Sequence, residues 1–298
     1  MNGVLVIDKP AGPTSHDVVA RVRCALRQRE VGHTGTLDPM ATGVLALVLG
    51  RATRLAQFLS GARKRYEATI RLGLATDTWD RTGGVVRRLD EGERLPGEVE
   101  LRLHLEAMLG EQDQLPPPFS AKKVAGVRAY ALARSGQTVD VRPARVTLDE
   151  VALLAADPPL FEVRVGCSAG YYVRALAHEL GERLGCGACL ERLRRVASGP
   201  FTLARALPLE VVERDPAAAS AAVIALEELL PELPAGVLTE EGARRASHGN
   251  DVTPRDFNRV PVLAAERAVR LLGPDGRLLA VARPGKQPDT LHPAVVLK

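Results

Sequence analysis

The stretch GHTGTLDPMATG, residues 32–43, places one carboxylate, Asp38, among glycines, threonines and a proline. It is the only acidic residue between Glu30 and Glu67, a span that also carries Arg51, Arg54, Arg63, Lys64 and Arg65. A lone carboxylate in basic surroundings has two readings. Asp-Pro commonly starts turns, so Asp38 can simply cap Thr36–Leu37 or the next helix. Alternatively it is a reactive group: an apolar pocket favours its protonated form, and an adjacent guanidinium restores the anion.

Other standard catalytic sets fail. His178-Glu179 is followed by Glu182 where a zinc protease needs histidine, and no GxxxxGKS/T or GxGxxG cradle stands at a strand–helix junction. Among Cys24, Cys167, Cys186 and Cys189, only Cys186 and Cys189 have ligand-like spacing, and no second pair completes a zinc site. All four read as reduced, mostly buried side chains. Four segments remain with unusual polar content beside apolar strands: DKPAGPTSHD, GHTGTLDPMATG, RKRYEATIRLG and CSAGYYVRALAHELG.

The elements that must position these segments follow from periodicity. Gly3–Ile7 reads as a strand and Pro10–Pro13 as a turn. Thr14 and Ser15 offer N-caps for a helix with Val18, Val19, Val22, Ala25 and Leu26 on one face. Val44–Leu49 reads as a buried strand and Thr53–Leu59 as a helix. Tyr66, Ala68, Ile70 and Leu72 alternate with polar residues, so Arg65–Leu72 is a half-buried strand with Tyr66 on its apolar side. Residues 76–84, TDTWDRTGG, form a polar turn, and 97–110 suit a helix. LPPPFSAKKVAGVRAY is proline-rich, basic and aromatic; it suits a linker, or a binding loop ending in a short helix near 127–135. Phe161, Val163 and Val165 alternate as a strand, and Val173–Leu184 is helical up to its Gly185 stop. The pattern changes through the proline- and alanine-rich 208–235. A helix at 239–247 and a hairpin turning at Pro274–Gly276 follow. Two domains are expected, with the boundary near Pro231–Pro234.

The 298 residues are 46% hydrophobic and 26% charged, the composition of an ordinary globular protein. No apolar run approaches a membrane span, and MNGVLVIDKPAG is unlike a secretory signal, which makes the cytoplasm the expected compartment. The net charge of +4 is unevenly distributed. Residues 1–75 carry 11 basic and 5 acidic side chains, and residues 116–148 carry 6 and 1. Arginine outnumbers lysine 34 to 6, and its planar fork suits phosphate contacts and stacking on bases. Clustered basicity points to nucleic acid, though a solvated surface explains charge alone.

The four polar segments, in this order, resemble the bacterial tRNA pseudouridine-55 synthase family. The resemblance continues through QLPPPFSAKKVAGVRAY and LRRVASGPF into the C-terminal part, and so covers nearly the whole chain. It implies an α+β pseudouridine synthase fold around a central mixed, largely antiparallel sheet at 1–233, with an RNA-binding insertion at about 116–148. It also implies a small β-rich PUA-like RNA-binding domain at 237–298. By resemblance Asp38 of GTLDP is the catalytic aspartate, and His33 of GHTG lies against the RNA where the flipped nucleotide leaves the loop. Tyr66 of KRY stacks on the target base. Tyr172 of YVR shapes the pocket, Arg174 pairs with Asp38, and Leu193 of LRR lines the wall. Lys9-Pro10 corresponds to a structural motif. The double tyrosine of CSAGYYVR departs from the family pattern, and Tyr172 is chosen because it stands two before the arginine. Glu179 stands where relatives often have aspartate.

The implied reaction breaks the C1′–N1 bond of uridine, turns the base and rejoins it through C5. It leaves redox state unchanged and needs neither cofactor nor metal. The expected partner is the T-arm of tRNA; no membrane and no obligate protein partner are expected, and a monomer is. Taken without the resemblance, Tyr66 reads equally as a core tyrosine, Arg174 as a solvated helix arginine and His33 as a histidine bonded within a turn. Three other functions compete: a non-catalytic tRNA-binding or folding protein, a guide-RNA-dependent pseudouridine synthase and a base-excising glycosylase. A pure binder has no use for a desolvated carboxylate opposing phosphate, and the basic 116–148 segment argues against the guide-dependent branch.

Overall fold

Strand β1 (Gly3–Lys9) is apolar from Val4 to Ile7 because both of its faces are covered there, and it ends in Asp8 and Lys9. Helix α1 (Ser15–Leu26) follows, its start set by a capping box in which the Thr14 side chain accepts from the Asp17 backbone N–H and the Asp17 carboxylate answers. It buries Val18, Val19, Val22 and Leu26 against the sheet. Strands β2 (Val31–His33) and β3 (Thr42–Leu49) flank the Asp38 loop. The expected helix after β3 is a 3-10 turn, Gly50–Leu55, continued by α2 (Ala56–Ser60). Strand β4 (Lys64–Leu72) alternates as expected at its start, with Lys64, Tyr66 and Ala68 inward and Arg65 and Glu67 exposed.

A small hairpin of β5 (Leu74–Thr76) and β6 (Val85–Arg88) then carries the 76–84 turn. Helix α3 (Glu98–Glu106) ends earlier than periodicity suggests, because Gly110 opens strand β7 (Gly110–Gln114). The computed structural model describes residues 1–90, 92–119, 142–262 and 268–297, with the backbone of β8 (Lys123–Val124) and β9 (Val127–Arg128). Those two strands pair with each other, so the helix expected near 127–135 does not begin at 127. Its remainder, 129–135, lies outside the described residues, as does most of the basic 116–148 segment.

The long strands β10 (Ala144–Asp157) and β11 (Leu160–Cys167), helix α4 (Val173–Arg183) and strand β12 (Ala188–Ser198) complete the large unit. The sheet runs Leu207–Pro208, β1, β3, β12, β4, β11, β10, β7. It is parallel where Leu207–Pro208 meets β1 and where β3 meets β12, and antiparallel at the other steps of that path. This is the mixed, largely antiparallel sheet that was expected. One face packs on α1, α3 and α4 through Ile7, Leu45, Tyr66, Ile70, Phe161 and Leu180.

A second sheet, ordered Phe257–Arg259, Ala235–Leu238, Val269–Leu272, Leu278–Pro284 and Leu291–Val296, forms the β-rich C-terminal part. Its Leu278, Val281, Val295 and Leu297 share one core with Val4, Val6, Val44 and Val48 on the other face of β1 and β3. Leu229 and Leu230, just before the Pro231–Pro234 stretch, are buried in that same core.

Candidate active site

The Asp38 loop is held by cations that never reach solvent. Lys9, fully buried, donates to the carbonyls of Pro10 (2.8 Å), Pro39 (3.3 Å) and Ala41 (2.8 Å). Its desolvation pulls the ammonium down to about 8. Arg195, also buried, donates to the carbonyls of Gly35 (3.0 Å), Thr36 (3.3 Å) and Val44 (2.7 Å). Ser15 adds a reciprocal pair with Leu37, donating its hydroxyl to the carbonyl (3.1 Å) and accepting the amide (2.8 Å). The Ala41 amide donates to the Asp38 carbonyl at 3.1 Å, so the turn reading of Asp-Pro is satisfied by backbone alone. The Asp38 carboxylate is left for something else.

That carboxylate meets Arg174, in the first turn of α4. The helix has no side-chain cap; instead the buried Gln114 brackets Tyr172, accepting its amide (2.8 Å) and donating to its carbonyl (3.2 Å). Gly181 lets α4 lie on β12, since a Cβ there would stand 2.1 Å from the Ala188 amide nitrogen. The Arg174 side chain is 5% exposed. Its Nη2 donates to Asp38 Oδ1 at 3.1 Å and to the Phe119 carbonyl at 3.0 Å. Its Nε lies 2.9 Å from Asp38 Oδ2, an ion-pair contact directed away from hydrogen-bond geometry. Its Nη1 donates to the Thr78 carbonyl at 3.1 Å and lies 3.5 Å from Asp80 Oδ2.

Asp80 was missed in the sequence, where TDTWDRTGG reads as a polar turn. It is buried, and its Oδ1 accepts from the Thr78 hydroxyl (3.0 Å) and from the amide (2.9 Å) and hydroxyl (2.5 Å) of Thr82. One guanidinium is therefore shared between two carboxylates. Asp80 adds a second carboxylate to the balance between apolar pocket and guanidinium expected for Asp38. Desolvation pushes its carboxyl up from the ordinary value, Arg174 pulls it back and Asp80 adds to the rise. The Asp38 side chain keeps 32% exposure, toward a cavity.

The cavity holds about 510 Å³, within the usual range for ligand sites. Asp38, Tyr66, Tyr172, Arg174 and Leu193 all line it, as do Lys64, Tyr171 and Arg195. Tyr66 comes from β4 and Leu193 from the neighbouring antiparallel β12, where Leu193 stands opposite Ala68 and Arg195 opposite Tyr66. Desolvation pushes the Tyr66 hydroxyl up, with Arg195 opposing, so it stays a neutral aromatic surface. His33, at the end of β2, is half-buried and sits outside the lining, edge-on to His16 at 5.7 Å between centroids. The arrangement offers a carboxylate fixed in orientation, beside a flat aromatic ring, in a cleft lined by the buried cations Lys64, Arg174 and Arg195.

The chain resembles known proteins along its whole length. Residues 23–173 match the N-terminal domain of the TruB family pseudouridylate synthases, and residues 174–233 match the tRNA pseudouridylate synthase B C-terminal domain. The junction of the two matches falls in the first turn of α4, within the large sheet's unit. A tRNA pseudouridine synthase B of Solibacter usitatus is 42% identical over 100% of both chains, and one of Geobacter sulfurreducens is 44% identical over 95% of this chain and 93% of its own. Among solved structures, a chain of a Cbf5–Nop10–Gar1 complex superposes with a TM-score of 0.76 at 26% identity, covering 99% of this chain and 85% of that one. The chain belongs to the TruB family of pseudouridylate synthases.

Proposed function

We propose that this chain isomerises uridine to pseudouridine at position 55 in the T-loop of tRNA, with Asp38 as the catalytic carboxylate. The observation that carries the reading is the grip of a nearly buried Arg174 on both oxygens of a carboxylate that faces a nucleotide-sized cleft. The T-loop is folded, so the uridine must leave its stack to reach that cleft. Tyr66 then presents its ring to the base, while Tyr172 and Leu193 bound the space in which the base turns. His33, next in sequence to the cavity-lining Thr34, is proposed to stack where the base has left. The reaction cleaves C1′–N1, forms C1′–C5, returns a proton to N1 and removes one from C5. An ionised Asp38 serves it whether the carboxylate attacks C1′ or C6 or withdraws the C2′ proton, and Arg174 keeps its oxygens aimed during that step.

The C-terminal sheet is proposed as a PUA-like RNA-binding domain, and the cytoplasm as the place of action. No helix among the described residues is long and apolar enough to cross a membrane. A guide-RNA-dependent activity is the weaker reading, because the relatives at 42–44% identity are named for tRNA.

The test is to incubate the protein with an unmodified tRNA transcript and map pseudouridine by nucleotide, with Asp38→Asn alongside. Pseudouridine is expected at position 55 in the tRNA and in an isolated T-arm hairpin. Asp38→Asn is expected to lose about 10⁴-fold or more in single-turnover rate while tRNA binding persists. Free uracil as product would make the protein a glycosylase. Near-normal turnover by the asparagine variant would return Asp38 to a turn residue.

A further inference from the structure

The chain contains one tryptophan, Trp79, inside the turn that carries Asp80. Its backbone has φ of +63°, a left-handed conformation that costs free energy for a bulky side chain. Its indole lies flat on the imidazole of His178, with centroids 4.3 Å apart and planes 7° from parallel. His178 is four residues after Arg174 and so on the same face of α4. The buried Nδ1 of His178 has no hydrogen-bond partner among the described residues, so the stack itself accounts for the ring's placement on that side. The turn and the helix thus meet at two points one helical turn apart: Arg174 on the Thr78 carbonyl and Asp80, and His178 on Trp79.

We propose that Trp79 and His178 are a positioning pair for the isomerisation, clamping the Asp80 turn to α4 so that Arg174 keeps its grip on Asp38. Neither ring lines the catalytic cavity. Their effect runs through Arg174, whose guanidinium needs the Thr78 carbonyl and Asp80 on one side to be aimed at Asp38 on the other. The strained Trp79 backbone fits this role, since a strained conformation persists where the surroundings over-determine it. The outer side of the turn is tied to β12: the Leu190 amide donates to the Trp79 carbonyl and the Arg81 amide to the Leu190 carbonyl, each at 3.0 Å. The inner side has the stack. The inference rests on the reading of Asp38 as the catalytic carboxylate.

The test uses full-length protein and tRNA transcript, with His178→Ala, His178→Phe and Trp79→Ala. Loosening the turn is expected to lower kcat about 10- to 100-fold for the two alanine variants, the scale of a misplacement near 1 Å, with KM for tRNA unchanged. His178→Phe restores the stack and is expected to restore the rate. In an Asp80→Asn background His178→Ala is expected to cost far less, because both act on one contact. Full multiplicativity with Asp80→Asn, an unchanged kcat for His178→Ala, or a phenylalanine variant as slow as the alanine one would overturn the proposal. Acrylamide quenching of Trp79 fluorescence checks the clamp without RNA. Quenching is expected to rise in His178→Ala but not in His178→Phe, and equal quenching in all three proteins would refute the clamp. A wild-type protein that fails to make pseudouridine, with the quenching difference intact, would fail the functional reading instead.

Discussion

At the scale of single residues the site is a competition for one guanidinium. Asp38 and Asp80 both lie against Arg174, and burial raises the carboxyl of Asp38 against the pull of the arginine. With Asp38 proposed as the catalytic carboxylate, the ionised form is the working one, and activity is expected to fall on the acid side, with its midpoint above the ordinary aspartate value. Asp80→Asn removes a negative charge that raises Asp38. The acid limb of the single-turnover rate should therefore move to lower pH, while the plateau falls because Arg174 loses a partner. A pH profile of both proteins checks this; a limb that stays put or moves upward would contradict it. Arg174→Lys keeps the charge but loses the planar fork that reaches Asp38, the Thr78 and Phe119 carbonyls and Asp80. It is expected to slow the chemical step about 10²-fold with little change in tRNA affinity. Equal rates at saturating RNA would reduce Arg174 to a scaffold or phosphate contact.

At the scale of elements, the site depends on β3 and β12 lying close enough for Arg195 to reach the Asp38 loop. Gly43 permits that approach: its φ is +98°, and a Cβ would stand 2.2 Å from the Arg195 carbonyl oxygen. Gly43→Ala is expected to destabilise the fold by at least about 1–3 kcal/mol from backbone strain alone, with a lowered Tm by thermal denaturation. An unchanged Tm would show that the strands separate without cost. Strand β12 also shows where sequence reading fails. Its inward residues Leu190, Leu193 and Arg195 are not evenly two apart, because bulges between Leu190 and Arg192 and between Arg195 and Ala197 shift the register. Alternation is then lost, and CLERLRRVAS reveals no strand although it sits at the sheet's centre. By contrast β1, β3, β4 and α1 were legible, because continuous apolar runs, clean alternation and a capping box survive in their sequences. Asp38 stood out as a lone carboxylate in its loop, whereas Tyr66 and Arg174 were marked by the family resemblance. Asp80 and Arg195 did not stand out: Asp80 reads as part of a polar turn, and the carbonyls that Arg195 holds lie 151 to 160 residues away, joined to it only in the folded chain.

At the scale of the whole molecule, the two sheets are less separable than a change in composition near 208–235 suggests. Leu278, Val281, Val295 and Leu297 cover the face of β1 and β3 opposite to α1, and Arg54 donates to the Val296 carbonyl at 2.7 Å. Each fully buried aliphatic side chain is worth about 1.5–3 kcal/mol, and native stability is only about 5–15 kcal/mol. Deleting residues 237–298 should therefore unfold or aggregate the remainder, and cannot test what that part binds. Charge reversal can. Residues 237–298 carry 10 basic and 7 acidic side chains, and Arg255 and Arg259 are exposed beside the edge strand Phe257–Arg259. The double variant Arg255→Glu/Arg259→Glu leaves both cores intact. If this surface holds tRNA phosphates, binding should weaken across tRNA sequences and its logarithmic salt dependence should flatten by about 1 per lost contact. The single-turnover rate at saturating enzyme should be unchanged, because every group placed at the cavity comes from residues before 196. Unaltered affinity would exclude this edge from the RNA interface, and a lost rate at saturation would mean that the second sheet acts on the catalytic cleft through the shared core.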